Sequence, residues 1–155
     1  MPTIRPRTVA AATLVALSAL VPAAPALAAP GPGFRVTSEN PTAAELNDLV
    51  QFIVTTPASD ADKAANVEGG MSSVVVPRTV YTLGLFRAPR GSSEVTGPLA
   101  RNGNRVSGNL TASSVGIPTV RMKVDFVREG GNWKLATSSM CEGVKAVGLP
   151  IFCNA

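Results

Sequence analysis

Histidine is missing from this 155-residue chain, and only two cysteines, one tryptophan and one tyrosine are present. Without an imidazole there is no Ser-His-Asp or Cys-His nucleophile system and no His-containing zinc site. Two cysteines are too few for an all-cysteine zinc site or for an iron–sulfur cluster held by one chain. Charge is sparse too: 14 Lys and Arg face 10 Asp and Glu, a formal net charge of +4. The length suits one domain.

Long apolar runs are confined to the start of the chain. Arg5 and Arg7 give a positive opening, and Val9 to Val21 carries no charge, with only Thr13 and Ser18 as polar residues. Pro22 and Pro25 then break any helix ahead of Ala26-Leu27-Ala28, an A-x-A cleavage pattern. The run is shorter than the ~20 residues of a membrane-spanning helix. Residues 1–28 are therefore expected to be a secretory signal, cut between Ala28 and Ala29 and leaving no membrane span. With no Arg-Arg pair the general secretory route is favoured, and with no cysteine at the cut the product is not a lipoprotein. Loss of Arg5 and Arg7 lowers the formal charge from +4 to +2, so the basic balance does not point to a nucleic-acid partner.

Cys141 and Cys153 both lie beyond the cut and would meet an oxidising compartment, where a disulfide is the default state. No C-x-x-C and no histidine is present to depress a thiol pKa. In the chain-entropy description, closing so short a loop stabilises by roughly 3 kcal/mol.

Residues 29–40 begin Ala-Pro-Gly-Pro-Gly and read as an extended, flexible leader. Thr42-Ala43-Ala44-Glu45 is a capping box, and Leu46, Leu49, Val50, Ile53 and Val54 follow at helical spacing, so a helix is expected to about Thr56, closed by Pro57. Ser59-Asp60-Ala61-Asp62 is a weaker start for a short polar helix reaching about Val67 and stopped by Gly69-Gly70. Residues 74–88 are rich in Val, which favours strand, but Pro77 suits a first helical turn and no alternation is seen; the reading leans to helix.

From Ser93 onward the pattern is sheet. A strand is expected near Glu94–Ala100, with Asn102-Gly103 as a two-residue hairpin turn. Val106, Gly108, Leu110 and Ala112 then alternate with polar residues. Over Thr119–Arg128, Val120, Met122, Val124 and Phe126 share one face while Arg121, Lys123 and Asp125 share the other. Glu129-Gly130-Gly131-Asn132 turns the chain into a strand holding Trp133, Leu135 and Thr137, and a last helix is expected over about Ser139–Val147. The fold class is α+β: N-terminal helices packed on a four-stranded antiparallel sheet, with a short C-terminal helix and one domain over 41–155.

In order and spacing, Pro41-Thr42-Ala43-Ala44-Glu45-Leu46, Val67-Glu68-Gly69-Gly70, Phe126-Val127-x-x-Gly130-Gly131-x-Trp133 and Ala146-Val147-Gly148 resemble the actinobacterial low molecular weight secreted antigen family, the twelve-kilodalton type. The resemblance covers about residues 41–148. It implies export and a cystatin-like or nuclear-transport-factor-like cone, and it supplies no catalytic residues. The chain departs from that family pattern in its cysteine pair and in Pro77.

Each chemically suggestive group has a plainer explanation. Asp60 and Asp62 are explained by helix capping, since calcium needs six or more oxygen ligands and no EF-hand loop surrounds them. Asn109-Leu110-Thr111 is a formal glycosylation sequon inside an expected strand. A Tyr81–Asp125 pair would suit proton transfer in a cone fold, but the alternation puts Asp125 on the face away from Phe126. Arg121, Lys123 and Lys134 make a modest basic patch interrupted by Asp125. Met122, Val124, Phe126, Trp133 and Leu135 are candidates to line an apolar ligand pocket, ordinary core being the competing reading. The expectation is a secreted, antigen-like, non-enzymatic protein without metal or cofactor, acting by binding or as an envelope-associated component. The alternative is a carrier of a small apolar molecule on the sheet's concave face, which would need a cavity of roughly 300 Å³ or more.

Overall fold

The computed structural model describes residues 30–153; the expected signal segment and its cut at Ala28–Ala29 lie outside the described residues. Helix α1 spans Ala43–Thr55, α2 Asp60–Ala64 and α3 Val75–Thr82, with a 3₁₀ turn at Gly70–Ser72 between the last two. Strands β1 (Gly91–Asn102), β2 (Arg105–Ser114), β3 (Ile117–Glu129) and β4 (Asn132–Leu135) follow, and α4 covers Thr137–Ala146. The strands form one antiparallel meander in the order β1-β2-β3-β4. The protein is α+β, as the residue pattern requires.

The capping box opens α1. The Thr42 hydroxyl accepts from the Glu45 amide at 3.2 Å, and the Glu45 carboxylate accepts from the Thr42 amide at 2.7 Å. That amide, followed by the Ser38 hydroxyl, holds the Glu45 carboxyl below its usual range. Leu46, Leu49, Val50, Ile53 and Val54 are buried as their spacing demands. The polar side of α1 covers the sheet's free edge. Asn47 Oδ1 accepts from the Val95 amide of β1 at 3.0 Å, and Gln51 Nε2 donates to the Ser93 carbonyl. Two backbone groups that β1 would otherwise leave unpaired are thereby satisfied.

On β3, Val120, Val124 and Phe126 are buried and Met122 is half-buried, while Arg121 and Lys123 are exposed. Asp125 lies on the outer face, where its carboxylate accepts from the Ser107 hydroxyl at 2.6 Å and sits 3.7 Å from Lys123. α3 begins two residues before Pro77, whose missing N–H falls in the first turn where no intrahelical acceptor exists.

Several local expectations are corrected. The first hairpin turn is Gly103-Asn104, because Asn102 pairs with Arg105; Gly103 has φ +57°, the arrangement of a II′ turn with glycine first. α2 stops at Ala64 instead of about Val67, since residues 66–68 bind the edge of β4: the Leu135 amide donates to Asn66 O and the Glu68 amide to Leu135 O, both at 2.9 Å. Thr137 belongs to α4, not to the last strand. Its amide donates to the Glu68 carboxylate at 2.9 Å, so a residue far away in sequence caps this helix.

The expected flexible leader over 29–40 is anchored from Phe34 onward. Phe34 packs on Phe52 of α1 with ring centroids 5.4 Å apart, and Val36 is buried in a bridge to Trp133. The Pro/Gly signal ends at Gly33; beyond it two apolar residues find places against the domain.

Candidate functional site

Where α1, α3 and α4 meet the inner face of β2 and β3, a cavity of about 90 Å³ remains. Val50, Ile53 and Val54 of α1 form one wall, and Val76 and Val80 of α3 another. The sheet contributes Ala112, Val120 and Val124, and α4 contributes Met140, Gly143 and Val144. Phe86, Leu110, Met122, Val147 and Leu149 are half-buried and frame its mouth. None of the lining residues is ionisable. The two hydroxyls in the wall are engaged: Ser93 Oγ accepts from Gln51 Nε2 at 3.0 Å, and Ser139 Oγ accepts from the Asp125 amide at 2.8 Å. Such a site offers shape and dispersion contacts to a guest, with no group positioned to move a proton.

Of the five residues proposed from sequence to line an apolar pocket, Met122, Val124 and Leu135 border this cavity. Phe126 is fully buried in the core elsewhere, and Trp133 faces the N-terminal segment, donating from Nε1 to Ser38 O at 2.8 Å. The α4 wall lies outside that set, and its signal in the sequence is the helical spacing of Met140, Gly143, Val144 and Val147.

Gly143 stands in the interior of α4 and faces the cavity; a Cβ placed there would meet only Met122 Sδ, at 3.9 Å. Glycine in a helix interior is about 1 kcal/mol worse than alanine. Gly143→Ala is therefore expected to raise stability by about 1 kcal/mol, read as an increased midpoint in urea with unchanged slope. Phe86 is also locally unfavourable, with φ +59° in the left-handed region that bulky residues avoid.

The C-terminal side of the mouth is tied down by a Cys141–Cys153 disulfide, and Leu149 and Ile151 lie against the core. Alkylation without reductant should modify neither cysteine in the folded protein; two labelled thiols by mass spectrometry would contradict the bond.

A second cluster surrounds Tyr81. Lys63 is only 2% exposed; its ammonium donates to Ile53 O at 2.9 Å near the end of α1 and lies 4.1 Å from the centre of the Tyr81 ring. Arg87 lies over the same ring at 4.7 Å. Burial lowers the Lys63 pKa to about 8, with Asp60 opposing and Arg87 assisting. Tyr81 is thus engaged with cations on the helical side, and Asp125 lies on the far face of the sheet, so the two are not brought together. Asp60 and Asp62 also diverge: Asp60 pairs with Arg78 at 2.8 Å, and Asp62 accepts from Ser59 at 2.9 Å. Among the described residues no cluster of acidic or cysteine side chains is gathered as a metal site requires, and no helix is long and apolar enough to cross a membrane. In the basic patch, Lys134 pairs with Glu129 at 3.0 Å. Asn109 donates its amide to Gly97 O at 3.2 Å.

A family model, low molecular weight antigen MTB12, C-terminal domain, matches residues 39–151. The match runs from before α1 to beyond Leu149 at the mouth of the cavity. No curated protein matches the chain.

Proposed function

This chain belongs to the low molecular weight antigen MTB12 C-terminal domain family, and from that premise we propose that it is an exported antigen-type protein that works by binding, not by catalysis. The contact site is the mouth of the interior cavity, and the partner is an apolar molecule or an apolar part of an envelope component. The observation that carries this reading is the cavity wall: it contains no ionisable residue, and its two hydroxyls are engaged. A carrier enclosing a whole small molecule would need roughly 300 Å³ or more. The cavity is about 90 Å³, so it receives part of a ligand and not all of it.

Export is supported by the arginines, the uncharged run and the A-x-A site of the first 28 residues. Protein recovered from culture medium is expected to begin at Ala29; retention in the cell with Met1 intact would overturn export. Purified protein is expected to turn over no hydrolase or isomerase substrate, and activity abolished by Asp125→Asn would overturn the non-catalytic reading.

A further inference from the structure

We infer that the cavity is a binding site for the end of an alkyl chain, which enters between Phe86, Met122 and Leu149 with its polar head left outside. The inference rests on the binding reading above and names the chemistry of the guest.

Size sets the first limit. A space of about 90 Å³ equals the liquid volume of about three water molecules, and a methylene is of similar size. Three or four chain carbons fit, and a longer ligand must project through the mouth. The wall supplies the second argument. The only polar side chains in the wall are Ser93 and Ser139, each already accepting one hydrogen bond, so a water inside is poorly held and an apolar guest displaces little. A charged headgroup would find no ionisable partner within and stays in solvent.

Two local sacrifices converge on this space. Gly143 weakens the interior of α4, and a side chain there would occupy the cavity. Phe86 holds a left-handed backbone and carries its ring to the mouth. Both residues border the same site. The opposite edge is set by Val147 and Leu149, which the Cys141–Cys153 bond keeps in place.

The test titrates the purified chain with 1-propanol, 1-butanol, 1-pentanol and 1-hexanol while methyl resonances of Val124, Val144 and Met140 are followed. Affinity is expected to rise about fourfold per added carbon up to the fourth and to flatten beyond it, from the value of a buried methylene. Gly143→Leu should abolish the shifts and the smaller Gly143→Ala should weaken them, while Lys145→Leu on the exposed side of the same helix leaves them unchanged. A second arm uses phosphatidylcholine vesicles: flotation lost in Gly143→Leu assigns the chain end to a membrane lipid, and alkanol binding without flotation assigns it to a free molecule. Shifts confined to Leu110 and Met122 without dependence on chain length would overturn the inference yet leave the binding reading standing. No shift at any mouth residue would overturn both.

Discussion

Replacing Trp133 with alanine is expected to lower stability by about 3–5 kcal/mol, the range for deleting a buried aromatic side chain. Trp133 is 2% exposed and joins three parts of the molecule. Its amide donates to Val36 O at 2.8 Å, and its indole N–H donates to Ser38 O, also at 2.8 Å. The ring therefore fastens the segment 34–38 to the edge of β4, and that segment in turn covers Phe52 through Phe34. Trp133→Phe retains most of the apolar volume but leaves Ser38 O without its donor, so a smaller loss of about 1 kcal/mol is expected. Urea unfolding followed by circular dichroism measures both, since the chain has no other tryptophan to report by fluorescence. A loss below 1 kcal/mol for the alanine variant would mean that residues 34–38 are not part of the cooperative unit.

Alkaline pH should stabilise the protein through Lys63. Its pKa is lowered to about 8 in the folded chain from an ordinary value of 10.5. Between those values the unfolded chain binds a proton that the folded one does not, so unfolding free energy rises with pH. The penalty of holding a buried ammonium is present in full below about 8 and is relieved by about 10.5. For a shift of this size the gain is about 3 kcal/mol. Lys63→Met should flatten this slope relative to the unmodified protein. At neutral pH the substitution has two opposing effects, removal of a buried charge and loss of the donor to Ile53 O, so the slope is the informative quantity. Parallel pH dependences in the two proteins would show that Lys63 is hydrated in solution.

The features legible in the residues alone are those whose physical cause is short in range. The Thr42–Glu45 box closes across three residues, and the two-residue period of Val120 to Phe126 is written into one strand. The Gly130-Gly131 turn carries its own signal, both residues having positive φ. Around the first hairpin the same logic found the turn but missed its phase by one residue, because Asn102 and Asn104 flank Gly103 alike and only strand register separates them.

The candidate site was only half readable. Alternation identified Met122 and Val124 as inward-facing, but it also selected Phe126 and Trp133, since inward-facing residues look the same in sequence whether they border a space or fill one. Lys63 reads as a solvated helix residue, and its burial depends on α1 and on Tyr81, which lie ten and eighteen positions away.

By itself, then, the order of residues determined the first helix and the four-stranded meander, the buried face of the sheet and the pairing of its two cysteines, each enforced by neighbours along the chain or by scarcity of alternatives. Only the tertiary structure decided that Phe34 and Val36 are part of the body, that Lys63 is enclosed, and that α4 stands off the sheet far enough to leave a space beside Gly143. Those outcomes depend on how several apolar surfaces share a limited volume, and no single segment carries that information.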